Sequence, residues 1–513
     1  MAMKQQIKSL IKDLSSGLLE REYEVALSLL CALSGENLFM IGPPGVGKSM
    51  LAYRIGKAFE EASCFSYLMS RFSTPDEIFG PVSIAKLKEE DKYCRNVEGY
   101  LPTASVVFLD EIWKAGPGIL NTLLTAMNER IYRNGTEIVP IRMKLLVAAS
   151  NELPNTEEGL EALWDRFLVR LCLAPVSDKS FSQLLALKET EVSSCQKPVT
   201  ERQYQELREK ANRVVLPSGV LDGLLRIRIA VEKLNEKEQT ACIYISDRRW
   251  LQIIRLLKTS AYCNGRAEVC LGDCLLLTCC IWEEQADMDM IRTTIVRALL
   301  GNVSESIGVL EEFLENGFKE LKERQMECFS QSDYNQLKPY LYNFFYYRVC
   351  GKGNFCIFQS DYEALTEQEE AGICYPEPAG GRFNLLRVVR VMEAEKNSAA
   401  LLQKMNVRLR KGMNTLFING VEYPLLMDVP EEARKDVYDF LSSPMDIEIY
   451  RNKYEELVAT LKEWPQTAGI AGHLFLSEQD KRAVKYELKE LSGRLDTCYG
   501  NMQKLINPFD ERE

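Results

Sequence analysis

Short apolar runs alternate with helical spacing over the first third of the chain. Leu38-Phe39-Met40-Ile41, Ser105–Leu109 and Lys144–Ala149 are almost unbroken in apolar side chains, the pattern of strands covered on both faces of a parallel sheet. A shorter strand is expected just before Cys172, and Met50–Phe59 carries apolar residues at helical intervals. Strands alternating with helices predict a doubly wound α/β core over residues 1–175. From 176 to 300 the strand pattern disappears and helical periodicity takes over, clearest in Leu221–Leu234 and Trp250–Ala261. That stretch is expected to form an all-α lid.

The remainder is organised differently. Ile307–Cys328 has helical spacing, and β-like runs follow at Tyr342–Val349, Phe355–Phe358, Phe383–Val389, Asn406–Arg410 and Thr415–Ile418. Asn419-Gly420 between Leu416-Phe417-Ile418 and Val421-Glu422-Tyr423 signals a tight hairpin, and Pro376–Gly381 reads as a loop. Helical sequence returns at Ile447–Lys462 and Glu478–Ile506. The order predicts a discontinuous helical bundle, 301–337 and 429–513, carrying an inserted β-rich adaptor domain, 338–428.

Composition narrows the class without naming a chemistry. The 513 residues are 46% hydrophobic and 27% charged, an ordinary globular balance that allows two to four domains. No apolar run is long enough to span a bilayer, and Met1–Leu14 is a charged amphipathic start, not a signal peptide. The formal net charge of -11 argues against nucleic acid as a constitutive partner. Sixteen cysteines without any C-x-x-C, together with the missing export signal, point to a reducing, cytoplasmic setting. The cluster Cys263, Cys270, Cys274, Cys279 and Cys280 could suggest thiolate ligation, but Leu275-Leu276-Leu277 runs through it and favours helix core. One histidine, His473, leaves little room for imidazole chemistry.

The informative motif is Gly42-Pro43-Pro44-Gly45-Val46-Gly47-Lys48-Ser49, which fits G-x-x-x-x-G-K-[ST] between an apolar strand and a helix. Glycines let such a loop turn its backbone N–H groups onto a polyphosphate, and the helix that follows adds its positive dipole end. Lys48 reaches the β- and γ-phosphates, and the Ser49 hydroxyl completes a Mg²⁺ shell. ATP or ADP with Mg²⁺ is therefore the expected ligand set. Val106–Leu109 then ends in Asp110-Glu111. Alternation along the strand separates the two carboxylates: Asp110 is placed to hold Mg²⁺ through water, and Glu111 to polarise the attacking water. A third strand ends at Ser150-Asn151, where Asn151 can bond the water or the γ-phosphate, or simply cap the loop before Pro154.

The order of these segments, followed by Leu163-Trp164-Asp165-Arg166-Phe167, resembles AAA+ ATPases of the MoxR branch. Gly17–Arg21, Arg71–Pro81 and Asp110-Glu111-Ile112-Trp113-Lys114-Ala115 look like its RavA subfamily, closely over residues 17–300 and only in architecture beyond. The resemblance implies an arginine finger at Arg166, with Arg170 as the alternative, reaching a neighbouring subunit's γ-phosphate. It places sensor 2 in Ser246–Trp250, at Arg248 with Arg249 second, although Asp247 stands where family members carry Pro. Leu19 would cover the adenine, Met50 would follow the phosphate loop, and Ile131–Val139 would form a hairpin through Asn134-Gly135. A hexameric ring, a von Willebrand factor A domain cofactor protein and a chaperone-like remodelling role are the family expectations. A nucleic-acid-dependent motor and a nucleotide-switched scaffold remain alternatives. In the β module, Tyr342, Phe344, Phe345, Tyr346 and Tyr347 with Arg382, Arg387, Arg390, Arg408, Arg410 and Lys411 could bind single strands or an acidic surface. The favoured expectation is that the aromatics alternate into the core and the basic residues stay wet.

Overall fold

The computed structural model describes residues 2–135, 137–154, 160–186, 195, 197–237, 243–328, 338–342, 344–349, 355–366, 371–379, 383–388, 407–428 and 447–506. The chain divides into two compact units, Met1–Asn302 with Lys462–Lys489, and Val303–Leu461 with Glu490–Glu513.

The first unit is built on seven strands: β1 (Asn37–Ile41), β2 (Cys64–Leu68), β3 (Val106–Asp110), β4 (Ile131–Asn134), β5 (Glu137–Pro140), β6 (Leu145–Ser150) and β7 (Val169–Cys172). Five of them form a parallel sheet in the order β2-β3-β6-β1-β7. The apolar runs become β1, β3 and β6, buried along nearly their whole length, as interior strands of such a sheet must be. β2 escapes sequence detection because it is an edge strand: Cys64, Ser66 and Leu68 are exposed on alternate positions. β4 and β5 form the expected separate hairpin, with Asn134 opposite Glu137. Register matters most for function. Ile41 pairs with Ser150 and Asp110 with Ala149, so the carboxyl ends of β1, β3 and β6 finish level, and the residues after them share one edge of the sheet.

Beyond β7 the unit is helical: Glu201–Asn212, Ser218–Lys237, Asp247–Cys263, the 3-10 stretch Leu271–Cys279, and Met288–Leu299. Cys263, Cys274, Cys279 and Cys280 are buried here, and no metal-holding group of His, Cys, Asp or Glu occurs among the described residues. The return segment 462–489 joins this region. Gly272 N–H donates to the Ala468 carbonyl at 2.8 Å, and the buried Arg292 pairs with Asp480 at 2.9 Å.

Among its described residues the second unit holds eight strands: β8 (Leu341–Tyr342), β9 (Tyr346–Arg348), β10 (Phe355–Phe358), β11 (Ala371–Ala379), β12 (Phe383–Val388), β13 (Val407–Lys411), β14 (Thr415–Ile418) and β15 (Val421–Pro424). Their order is β15-β14-β13-β11-β12-β10-β9-β8, antiparallel except for β10 against β12. The sheet's edges meet: Tyr340 N–H donates to Leu426 O at 2.7 Å, and Leu426 N–H to Arg348 O at 2.9 Å. Closure wraps the sheet round Ile357, Leu386, Leu409 and Leu416 and leaves little edge to protect. Asn419 (φ +52°) and Gly420 (φ +81°) make the two-residue hairpin with the left-handed backbone their sequence favours.

Two expectations fail in this unit. Pro376–Ala379 belongs to β11 and is not a loop. Among the described residues β13 pairs with β11 only as far as Cys374, so the prolines lie where no described strand needs their missing N–H. The aromatic run does not alternate into the core either. Tyr347 is buried, but Phe344 and Phe345 lie in the turn between β8 and β9 and are 87% and 62% exposed, because the turn interrupts the strand's two-residue period. Arg382 and Arg390 lie outside the described residues; Arg408 is exposed, and Arg410 stacks on Phe417. The helix Gly301–Cys328 from Val303 on, Ile447–Thr467 as far as Leu461 and Glu478–Ile506 from Glu490 on complete the unit, the first and last joined by Arg494 and Glu311 at 2.7 Å. No helix among the described residues is long and apolar enough to cross a membrane.

Candidate functional site

The loop after β1 is shaped by its glycines for two different reasons. Gly42 is steric, since a Cβ there would lie 2.3 Å from the Leu173 carbonyl oxygen. Gly45 (φ +84°) and Gly47 (φ +90°) are conformational: a Cβ would meet nothing within 4 Å, but both adopt the left-handed backbone that only glycine takes freely. Gly47 precedes the helix Lys48–Gly56, whose start carries no side-chain cap. Its first N–H groups are thus directed at the loop's hollow, a ready anion site. Val46 is half-buried, and Ser49 and Met50 are exposed at the rim.

The level strand ends bring three predicted residues into one hydrogen-bonded chain. The buried Lys48 ammonium donates to Gly42 O at 2.7 Å, Ser150 O at 3.3 Å and Asn151 Oδ1 at 2.6 Å. The Asn151 amide then donates to Glu111 Oε1 at 2.7 Å. Glu111 Oε2 pairs with Lys114 at 3.2 Å, a partner sequence reasoning overlooked. Glu111 leaves the strand in a left-handed conformation (φ +53°), its N–H held by Asp110 Oδ1 at 3.1 Å. Asp110 and the Ser49 hydroxyl are hard oxygen donors, a set that fits Mg²⁺ bound largely through water and phosphate.

Four arginines separate sharply. Arg170 is fully buried, stacked on Trp164 at 3.7 Å, paired with Glu283 at 3.1 Å and bonded to Trp282 O. Burial pulls its guanidinium down from its ordinary value, with Glu283 opposing. So enclosed, it reaches no neighbouring molecule. Arg249 is buried too, donating to Cys280 O at 2.8 Å and Phe167 O at 3.2 Å and pairing with Asp165 at 3.2 Å. Arg248 beside it is exposed. Asp165 is therefore engaged by Arg249 and by the Ser246 hydroxyl, not by its neighbour Arg166. Arg166 is half-buried, and its Nε and Nη1 are buried without a hydrogen-bond partner among the described residues.

Leu19 lies half-buried in the turn between the helices Ala2–Ser15 and Glu22–Ser34. Its neighbours fasten that turn to the chain beyond β7. The Glu20 carboxylate accepts from Ser177 N–H at 2.9 Å, Ser180 Oγ at 2.7 Å and Ser177 Oγ, and these bonds hold it down to about 2. Arg21 donates to Ala174 O, one residue from the carbonyl that abuts Gly42. This turn and the phosphate loop thus lean on one stretch, 173–180. The motif search passed over Glu20's role because its partners lie more than 150 residues away.

A parallel sheet with a glycine loop at the end of the interior strand β1, an Asn at the end of the adjacent β6 and an Asp-Glu pair at the end of β3 beyond it defines a P-loop nucleotide-binding protein. The chain belongs to the MoxR-type AAA+ ATPases. Residues 5–209 match the family model described as the MoxR domain in the MoxR-vWA-beta-propeller ternary systems, and 220–295 match the AAA lid domain. Two proteins of Methanocaldococcus jannaschii, both described only as uncharacterised, are similar. One is 36% identical over 351 residues, 67% of this chain and 88% of that protein; the other is 35% identical over 294 residues, 57% and 75%. A solved structure from Cytophaga hutchinsonii, whose description proposes an ATPase, covers 57% of this chain and 94% of its own at 18% identity and a TM-score of 0.48.

Proposed function

We propose that the chain is an ATP-hydrolysing, ring-forming AAA+ protein of the RavA subfamily that acts as a chaperone-like remodelling or regulatory ATPase on protein partners. The supporting observation is the chain Lys48–Asn151–Glu111, which ties a phosphate-binding ammonium to a carboxylate through one amide. In hydrolysis the water oxygen bonds to the γ-phosphorus, the bond to the β–γ bridging oxygen breaks with its electron pair leaving on ADP, and Glu111 takes the water's proton. Lys48 and the uncapped helix start hold phosphate oxygens, and Asn151 orients the water. Ser49 and Asp110, the latter through water, would hold Mg²⁺, which neutralises phosphate charge when bound. Arg166 serves a neighbouring subunit's γ-phosphate, the role that its place after Asp165 carries over from the family. Arg248, exposed beside the buried Arg249, is the sensor in the lid.

Residues 1–175 act as the nucleotide-binding core and 176–300 as the lid. The discontinuous bundle, 301–337 and 429–513, presents the adaptor 338–428, with 462–489 returning to the lid. The matched family's description makes a von Willebrand factor A domain protein the expected partner. The test is Mg²⁺-ATP turnover against protein concentration for the wild type and Arg166→Ala, with oligomer size followed in parallel. Turnover per subunit should rise steeply as a hexamer forms, and should collapse in a variant that still assembles. Concentration-independent turnover, untouched by the substitution, would mean a self-contained enzyme.

A further inference from the structure

Both oxygens of the Glu111 carboxylate are engaged, Oε1 by the Asn151 amide at 2.7 Å and Oε2 by the Lys114 ammonium at 3.2 Å. With both oxygens so engaged the carboxylate is held in one place by its two donors, and neither oxygen is free to turn onto a water. The two donors differ in what controls them. Asn151 is bonded to Lys48, so a phosphate that draws Lys48 away also loosens Asn151. Lys114 has no such link. It stands three residues on in the same tight turn, its N–H bonded to Glu111 O at 3.0 Å, and the left-handed backbone at Glu111 folds it back over the carboxylate. Its side chain is 60% exposed, against 15% for Glu111.

Taking Glu111 as the base, we propose that Lys114 is a positioning residue that restrains it, a second gate on hydrolysis released from the protein surface and not by the nucleotide. Ligand binding at the phosphate loop frees Oε1. Oε2 is freed only when something outside, an acidic group of a neighbouring subunit or of a bound protein, competes for the ammonium. Basal turnover is thereby held below what the site can deliver, and contact with a partner of the right charge raises it.

The test is steady-state ATP turnover and ATP affinity for wild type, Lys114→Met, Lys114→Arg and Glu111→Gln, at low and high salt, under conditions where oligomer size is constant. An exposed ion pair of this kind is worth about a two- to five-fold effect. Lys114→Met should raise kcat by that factor and leave the ATP Kd unchanged, and Lys114→Arg should stay nearer the wild type. Wild-type turnover should climb toward that of Lys114→Met as salt screens the pair. A Lys114→Met variant with an unchanged melting point that turns over no faster than wild type overturns the proposal, as does a wild-type rate that does not rise with salt. If Glu111→Gln keeps full turnover, the assignment of the base itself falls. If Glu111→Gln is inactive while Lys114→Met is no faster, only the restraint is lost.

Discussion

Asn151 donates its side-chain amide to Glu111 at 2.7 Å across the ends of two adjacent strands, and its other end accepts Lys48 at 2.6 Å. One short side chain thus links the group that would bind phosphate to the group that would activate water. Replacing it should separate binding from chemistry. In Asn151→Ala, Lys48 keeps its bonds to Gly42 O and Ser150 O, so ATP affinity should change less than about threefold, within the spread of small perturbations. Turnover should fall on the order of 10²-fold, the usual cost of one preorganised donor. Single-turnover kinetics beside equilibrium binding of a fluorescent ATP analogue would show it; equal losses in both would mean that Asn151 only shapes the loop.

Arg166 and Arg170, four residues apart, should fail in opposite ways. Arg170 is enclosed by Trp164, Glu283 and the Trp282 carbonyl, so Arg170→Ala should cost about 3 kcal/mol of stability, as removing one partner of a buried pair does. Arg166→Ala removes a half-buried guanidinium whose Nε and Nη1 bond nothing among the described residues, and should cost no more than about 1 kcal/mol while turnover in the assembled form collapses. Urea denaturation midpoints set against turnover at matched oligomer size distinguish them. A destabilised Arg166→Ala would mark that residue as structural.

The contrast between those arginines shows where the sequence stops being legible. β1, β3 and β6 could be read because burial on both faces leaves a contiguous apolar signature, and the glycines of the phosphate loop because only glycine adopts that backbone. Arg170's burial could not be read, since the residues enclosing it include Trp282 and Glu283, more than 110 positions away. β2 was hidden by half-exposure at a sheet edge, and β11 by prolines that read locally as turn residues. The attachment of 462–489 to the first unit had no local signal, because it depends on which surfaces meet and not on periodicity.

Glu20 supplies an acid-dependent contribution. Its carboxyl is held at about 2 by the Ser177 and Ser180 bonds, below the ordinary 4.5. A depressed folded value means that the unfolded chain takes up the proton first. The contribution is therefore complete above about pH 4.5 and disappears as pH falls toward 2. Glu20→Gln should lower the denaturation midpoint at pH 6, and the difference from wild type should shrink below the ordinary 4.5 and close only as pH reaches about 2. A difference that does not vary with pH would mean that the serines bond the amide equally well.

His473 tests the junction between the return segment and the lid, and it is the chain's only histidine. Its Nδ1 accepts the Phe475 N–H at 3.2 Å, which leaves Nε2 protonated and facing Asp273 at 3.0 Å. Asp273 also takes the Ser260 hydroxyl at 2.7 Å and Arg266 at 2.6 Å, and it is fully buried. Burial lowers His473 below its ordinary 6.5. Asp273 opposes this, while Arg266 and Lys4 add to it. A second proton would also break the Phe475 bond. The unfolded histidine therefore takes up a proton that the folded one resists, so this contribution is complete above about pH 6.5 and declines as pH falls below it. Wild-type stability should drop between pH 7.5 and 5.5, and His473→Gln, with nothing to titrate in that range, should flatten the slope. With no second histidine to confuse the assignment, an unchanged slope in His473→Gln would show that the junction does not hold its imidazole neutral.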